Sequence, residues 1–157
     1  MQKLCFNSIG TIRSKFKNPE ELVFACEKGL DTDTESEIII DEHLEEGLTG
    51  LKEFSHIFII YFLNQADKIE LSTHPGPPSE TSLPKVGVFA SRSQYRPNHI
   101  ALRLAKLLNI NGNRIRVRGL DAVNGSPVLD IKPYVKGFDR PENFKTAYWY
   151  DWLNHLR

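Results

Sequence analysis

The apolar positions of this chain fall into short alternating or continuous runs separated by turn residues, a pattern that predicts strands rather than long helices. Leu4, Phe6 and Ile9, followed by Ile12 beyond Gly10, read as a first strand with a bend, over residues 3–14. Residues 15–37 are polar and acidic, with Leu22, Val23 and Phe24 as the only anchor, and read as a long loop carrying little local structure. A short strand is expected at 37–41, then one or two helical turns between His43 and Phe54. Ser55 to Leu63, rich in β-branched and aromatic side chains, is the clearest core strand. The proline-rich stretch from Ser72 to Pro84 reads as an irregular exposed loop.

Val86 to Ala90 follows as a buried strand, and Ser91 to His99 as a polar loop stiffened by Pro97. Ile100, Leu102 and Leu104 alternate with Ala101, Arg103 and Ala105, which favours a strand. Asn111-Gly112-Asn113 marks a hairpin turn, after which Ile115 and Val117 alternate with Arg114, Arg116 and Arg118. A second turn at Asn124-Gly125 precedes a strand over 128–134. A helix carrying Tyr148, Trp149, Tyr150 and Trp152 closes the chain at about 145–156, most simply packed on the core. These elements predict a mainly β fold, an antiparallel sheet or barrel with minor helical additions, in one domain of 157 residues.

Composition narrows the class. With 40% hydrophobic and 25% charged residues, the chain reads as an ordinary soluble domain. Its longest apolar run, Ile57 to Leu63, is too short to cross a bilayer, and no membrane association is expected. Cys5 and Cys26 are too few for a disulfide framework and lack metal-ligand spacing, so reduced thiols, a cytoplasmic location and no metal are expected. The formal net charge of zero conceals a division along the sequence: acids dominate from Glu20 to Glu53. From Lys85 to Leu120 there are eight cations and no acid, namely Lys85, Arg92, Arg96, Arg103, Lys106, Arg114, Arg116 and Arg118. Such a division predicts one face that attracts a polyanion, unless the two signs are merely solvated apart.

Glycine-rich phosphate loops, dinucleotide fingerprints and zinc spacings are absent, which leaves three segments with more polar groups than a simple sheet needs. In residues 87–100, Arg92 and Arg96 offer planar donors to a carboxylate or phosphate. In residues 119–127, a turn at Asn124, Gly125, Ser126 and Pro127 offers backbone N–H groups to a ligand. In residues 128–134, Asp130, Lys132 and Tyr134 share one strand face. Each has a plain structural reading too: a solvated loop, an ordinary β-turn, and a salt bridge beside a satisfied tyrosine.

The same segments carry a family likeness. Phe-Ala-Ser-Arg-Ser-x-x-Arg-Pro-Asn at 89–98 resembles the Phe-Ala-Thr-Arg-Ser-x-x-Arg-Pro-Asn of the TsaA-like, or tRNA methyltransferase O, family. Leu120-Asp-x-x-Asn-Gly-Ser-Pro-Val-Leu-Asp-Ile-Lys-Pro-Tyr134 is similar to its Leu-Asp-x-x-Asp-Gly-Thr-Pro-Val-Leu-Asp-Ile-Lys-Pro-Tyr. Ile9-Gly-x-Ile-Arg-Ser14 matches its opening strand and Gly50-Leu-x-x-Phe-Ser-His56 its first core strand, in order.

The resemblance implies a single-sheeted antiparallel β-barrel over about residues 3–138, dimeric, that takes S-adenosylmethionine and N6-methylates threonylcarbamoyladenosine beside the anticodon of tRNA. Carried over by position, the methyl donor should meet Asn64, Gln65, Arg92, Leu102, Asn124, Gly125, Ser126 and Pro127. Asp130 or Tyr134 is expected to accept the proton, Lys132 and Arg96 to hold substrate anions, and Asn98 to bond a base or ribose edge. The anticodon loop is single-stranded, so its base can be splayed out without opening a duplex. The chain departs from the family pattern at His99 (for Pro), Ala101 (for Gly), Arg103 (for Ser), Asn64 (often His) and Asn124 (often Asp). Ala25 to Gly29 stands where a cofactor-touching Pro-Arg-Gln is usual. Other readings therefore stay open: a different methyl acceptor, a module that binds the donor or RNA without catalysis, or a scaffold using its acidic and basic segments.

Overall fold

The structure is a computed structural model; it describes residues 2–76 and 82–155, with the backbone alone for 152–155. Residues 77–81 of the expected irregular loop at 72–84 therefore lie outside the described residues, and its first two residues, Ser72–Thr73, form a short strand instead. The strands are β1 (Gly10–Arg13), β2 (Glu35–Ile40), β3 (His56–Phe62), β4 (Ser72–Thr73), β5 (Val86–Gly87), β6 (Ile100–Asn111), β7 (Arg114–Arg118) and β8 (Pro127–Pro133). Six of them close an antiparallel barrel in the order β1-β2-β7-β6-β3-β8, with β8 returning to β1; β4 and β5 form a separate pair. The mainly β fold and the barrel are thus as expected.

Alternation decides what fills the barrel. Ile12, Ile38, Ile40, Ile57, Ile59, Ile115, Val117 and Val128 point inward and are buried. β6 reverses the intuitive reading of its own pattern. Its small residues Ala101 and Ala105 face inward with Arg103, while Ile100, Leu102 and Leu104 point out and remain 37%, 48% and 39% exposed. On the neighbouring strand β3, Ile57 and Tyr61 bring bulky side chains to the interior beside Ala105 and Ala101, which leaves those two positions small.

The largest departure from the sequence reading is α1 (Pro19–Glu27), which lies inside the expected long loop. Local chemistry starts it. The Asn18 side chain accepts the Glu21 N–H at 2.9 Å, Pro19 takes the first turn, and Glu20 and Glu21 lie at the positive end of the helix. Gly29, at φ 67°, follows its end. Only Ala25 is buried; Val23 and Phe24 are exposed, so the apolar pattern was too shallow to announce the helix. β1 is shorter than expected, and 88–90 form a 3-10 turn rather than more strand. The closing aromatic segment is a 3-10 helix, Tyr148–His155, and α2 (Lys136–Asp139) is a single turn.

The charge division resolves into pairing. β2 lies beside β7, and Arg114 meets Glu37 at 2.8 Å while Arg116 and Arg118 meet Glu35 at 2.6 and 2.8 Å. Arg103 is held by Asp31 and Asp121, so four of the eight cations are matched by acids and the cationic footprint expected for a polyanion shrinks by half. Arg118, and after it Arg116, hold the exposed Glu35 carboxyl below its ordinary value by hydrogen bonding. A depressed carboxyl stabilises the fold fully above the ordinary carboxylate range and loses that contribution as pH falls through the lowered value. The urea midpoint of Glu35→Gln should accordingly lie slightly below that of the wild type at neutral pH. The gap should close on acidification and shrink with added salt.

Candidate active site

Antiparallel alternation brings the start of β6, the end of β3 and the start of β8 to one end of the barrel, where Phe62 pairs with Ile100 and Tyr61 with Val128. Outward-facing residues there form rows across three strands. Leu102, Ile60 and Asp130 make one row; Leu104, Phe58 and Lys132 the next. With strands about 4.8 Å apart, Leu102 and Asp130 sit about 10 Å from each other across Ile60. The candidate chemistry thus lies on an open outer face of the barrel, apolar at its centre and polar along β8.

On β8, Lys132 Nζ lies 2.8 Å from Asp130 Oδ2, and Asp130 Oδ1 accepts the Ile131 N–H at 2.8 Å. The hydrogen bond and charge of Asp130 raise the Lys132 pKa, so the lysine stays an ammonium. Tyr134 lies farther along the strand, its ring 6.1 Å from that of Phe58 and its N–H bonded to His56 O at 3.0 Å. Four residues separate Tyr134 from Asp130, a displacement of about 13 Å at strand rise, so the structure does not gather the expected trio at one point.

The loop 88–99 flanks β6. Arg96 turns back on it, giving Nε to Ser93 O (3.0 Å) and Nη2 to Ser91 O (2.7 Å) and Val88 O (3.3 Å). That use staples the loop rather than presenting Arg96 to an anion. Arg92 does the opposite: it is exposed, with a single long bond to Leu102 O at 3.4 Å. Asn98 and His99 take φ of 67° and 48°, a left-handed step uncommon for side-chain-bearing residues. His99 Nε2 lies 3.1 Å from Lys68 O and its ring 6.3 Å from that of Phe62. Asn64 and Gln65, both exposed, lead a segment zipped to this loop by Leu63 N–H to His99 O (2.8 Å) and Glu70 N–H to Tyr95 O (2.8 Å).

The turn at 124–127 corrects one expectation. Its N–H groups are already used: Asn124 donates to Phe16 O (2.7 Å), Gly125 to Ile12 O (2.8 Å) and Ser126 to Val123 O (3.2 Å). Asn124 Oδ1 accepts the Ser14 N–H at 3.2 Å, Ser126 is buried, and Gly125 holds φ 84° with open space where a Cβ would stand. The turn offers shape and room, not free donors.

Two features escaped the sequence reading. Tyr150 places its hydroxyl 3.5 Å from Ala90 O, so the closing aromatic segment packs on the Arg92 loop. Burial pushes the Tyr150 phenol up, with Arg92 and Arg96 opposing. The other is a buried ionic cluster around Arg103, visible only as an arginine between two alanines on an inward face.

The profile of the tRNA-methyltransferase O N-terminal domain matches residues 11–140, which include every one of these site segments except the aromatic one. The chain belongs to the tRNA methyltransferase O family. It is 37% identical over 145 residues to a probable S-adenosyl-L-methionine-binding protein of Pyrococcus abyssi, covering 92% of this chain and 76% of the relative. It is 32% identical over 141 residues to the tRNA (adenine(37)-N6)-methyltransferase of Escherichia coli, covering 86% of this chain and 59% of that enzyme. Among solved structures, TrmO from Pseudomonas aeruginosa superposes with a TM-score of 0.72 at 26% identity, over 94% of this chain and 63% of its own. The chain therefore spans about three fifths of these methyltransferases.

The residues present suit S-adenosylmethionine. An exposed guanidinium at Arg92 matches a carboxylate, the amides of Asn64 and Gln65 match polar edges, and Leu102 supplies apolar surface. Among the described residues no group of three or more His, Cys, Asp or Glu could hold a metal ion.

Proposed function

We propose that this protein is an S-adenosylmethionine-dependent tRNA methyltransferase whose acceptor is N6 of a modified adenosine beside the anticodon. The observation that carries the reading is the match over residues 11–140 to a family whose relatives are named both for binding the donor and for methylating adenine 37 of tRNA. The outer face from Leu102 to Asp130, with Arg92 beside it, supports the same reading.

S-adenosylmethionine supplies an electrophilic methyl group to the acceptor nitrogen. That nitrogen is a weak nucleophile, so the protein's part is positioning and removal of its proton. Arg92 binds the donor's carboxylate, and Asn64, Gln65, Leu102 and the 124–127 turn frame the rest. Asp130 is the better placed proton acceptor: it shares a row with Leu102, whereas Tyr134 lies two rows away. Lys132, 2.8 Å from Asp130, offers an ammonium to a substrate anion. Asn98 borders the same loop and bonds the substrate; Arg96 acts by holding that loop.

The test is to incubate the protein with S-adenosylmethionine and total tRNA, then to analyse digested nucleosides by mass spectrometry. A gain of one methyl on threonylcarbamoyladenosine supports the reading. Methyl transfer to another nucleoside replaces the acceptor, and donor binding without any transfer leaves a binding module.

The chain acts as one domain, its closing segment resting on the Arg92 loop, and as a homodimer in the cytoplasm. Phe62, Ile100 and Leu104 leave an apolar band across β3 and β6 that a second copy is suited to cover. Leu104→Glu should convert a dimer into folded monomers in sedimentation velocity, with the far-UV circular dichroism of the wild type, because Leu104 lies outside the core. Cys5 and Cys26 form no disulfide, and no described helix is long and apolar enough to cross a membrane.

A further inference from the structure

Just inside the end of the barrel that carries the candidate site, the filling is ionic rather than hydrocarbon. Arg103 points inward from β6, opposite Ile59 of β3. Its Nε donates to Gly119 O at 2.8 Å, Nη1 to Asp121 Oδ2 at 3.1 Å and Nη2 to Asp31 Oδ2 at 2.9 Å. Tyr61, inward on β3, donates its hydroxyl to Asp121 O at 2.8 Å and stands 3.2 Å from Asp121 Oδ1. The side chains of Arg103 and Asp31 are 15% and 3% exposed.

One planar guanidinium thus ties three parts of the chain: β6, the connection from α1 to β2, and the connection from β7 to β8, the last two also joined by Gly119 N–H to Thr34 O at 3.0 Å. The last of these runs directly into residues 124–127. Gly119, at φ 83°, marks how closely that connection crosses its neighbour: a Cβ there would meet Thr32 O at 3.2 Å.

Stability alone does not call for this arrangement. A buried ion pair loses much of its attraction to desolvation, and apolar side chains of equal volume often stabilise as well or better. What charges add is direction, because a fork of fixed donors admits few positions for its partners. The geometry points to Arg103 as a positioning residue that fixes the β7–β8 connection, and through it the 124–127 turn, in the conformation that receives S-adenosylmethionine. This inference rests on the donor-binding reading above and assigns a role to a residue that departs from the family pattern.

The experiment compares the whole wild-type chain with Arg103→Lys and with a charge-neutral triple variant, Arg103→Met/Asp31→Asn/Asp121→Asn. The triple variant removes the guanidinium without leaving two carboxylates facing each other, which protects it from simple misfolding. Each is titrated with S-adenosylmethionine, melted, and followed by amide hydrogen exchange across residues 119–127. The expected result is donor affinity weaker by about tenfold or more in both variants, the scale of one lost charge-assisted bond. Faster exchange at 119–127 should accompany it, with the triple variant recovering its melting temperature but not its affinity. Donor binding equal to the wild type in either variant would overturn the positioning role while leaving the functional reading intact. A wild type that binds no donor would defeat the functional reading and, with it, the donor-directed part of the inference. Unchanged exchange at 119–127 in the triple variant would remove the clamp itself.

Discussion

Arg92→Ala should weaken S-adenosylmethionine binding by about ten- to a hundredfold, the range of a hydrogen-bonded charge of about 1.5–3 kcal/mol. The size follows from what Arg92 does in the unliganded chain, which is very little. It is exposed and, among the described residues, its side chain makes one bond, at 3.4 Å, to the Leu102 carbonyl. An arginine so weakly committed gives up almost nothing to bind a carboxylate bidentately, and its removal leaves no buried group unpaired. The melting temperature should therefore stay nearly unchanged, since such surface substitutions fall within about 0.5 kcal/mol. Arg96→Ala is the informative contrast. Its guanidinium closes the loop through Ser91 and Val88 carbonyls, so removal should lower both affinity and thermal stability. Calorimetric titration and melting of both variants separate a ligand contact from a loop staple. Equal affinities for wild type and Arg92→Ala would remove Arg92 from the site.

These contrasts also show what the sequence can and cannot convey. Strands with β-branched or alternating residues, such as 56–62 and 114–118, are legible because their pattern is their packing. The inward face of β6 is not, because Ala101 and Ala105 sit beside the bulk of Tyr61 and Ile57 on the adjacent strand β3, and period-2 alternation does not say which set faces in. α1 was hidden by shallow burial, although Asn18-Pro19-Glu20-Glu21 is itself a helix start. The charge division along the chain misled for a topological reason: β2 and β7 are far apart in sequence and adjacent in the sheet, so segregation in one dimension became pairing in three. Site segments were legible as motifs. Their roles were not, since the spare donors of the 124–127 turn and the free guanidinium of Arg96 are both consumed by contacts only the fold creates.

The largest effect on the fold is expected at Gly10. It opens β1 and pairs with Ile40 on one side and Val128 on the other, so it sits where the barrel closes. A Cβ built there would collide with Ile39 O and approach Ile40 Cα to 2.9 Å and Ile39 C to 3.0 Å. All three are backbone atoms of β2, which no change of side-chain rotamer can relieve. β1 cannot simply retreat, because Ile9 N–H is bonded to Val128 O at 2.8 Å and Ile12 N–H to Ser126 O at 3.0 Å. Gly10→Ala must therefore open one seam or the other, at about 3 kcal/mol or more, the upper end for overpacking. For a chain of this size that is a fall in melting temperature of about 6–12 °C. Gly47→Ala serves as the reference, since its Cβ would meet nothing within 4 Å, and it should melt close to the wild type. The site should feel the opened seam as well. Ile12 carries the Gly125 N–H on its carbonyl, so displacing β1 from β2 shifts the turn that frames the donor. Gly10→Ala should then bind S-adenosylmethionine more weakly even at temperatures where it is fully folded, and a variant that melts early yet binds as the wild type does would place the strain at the β2 seam alone.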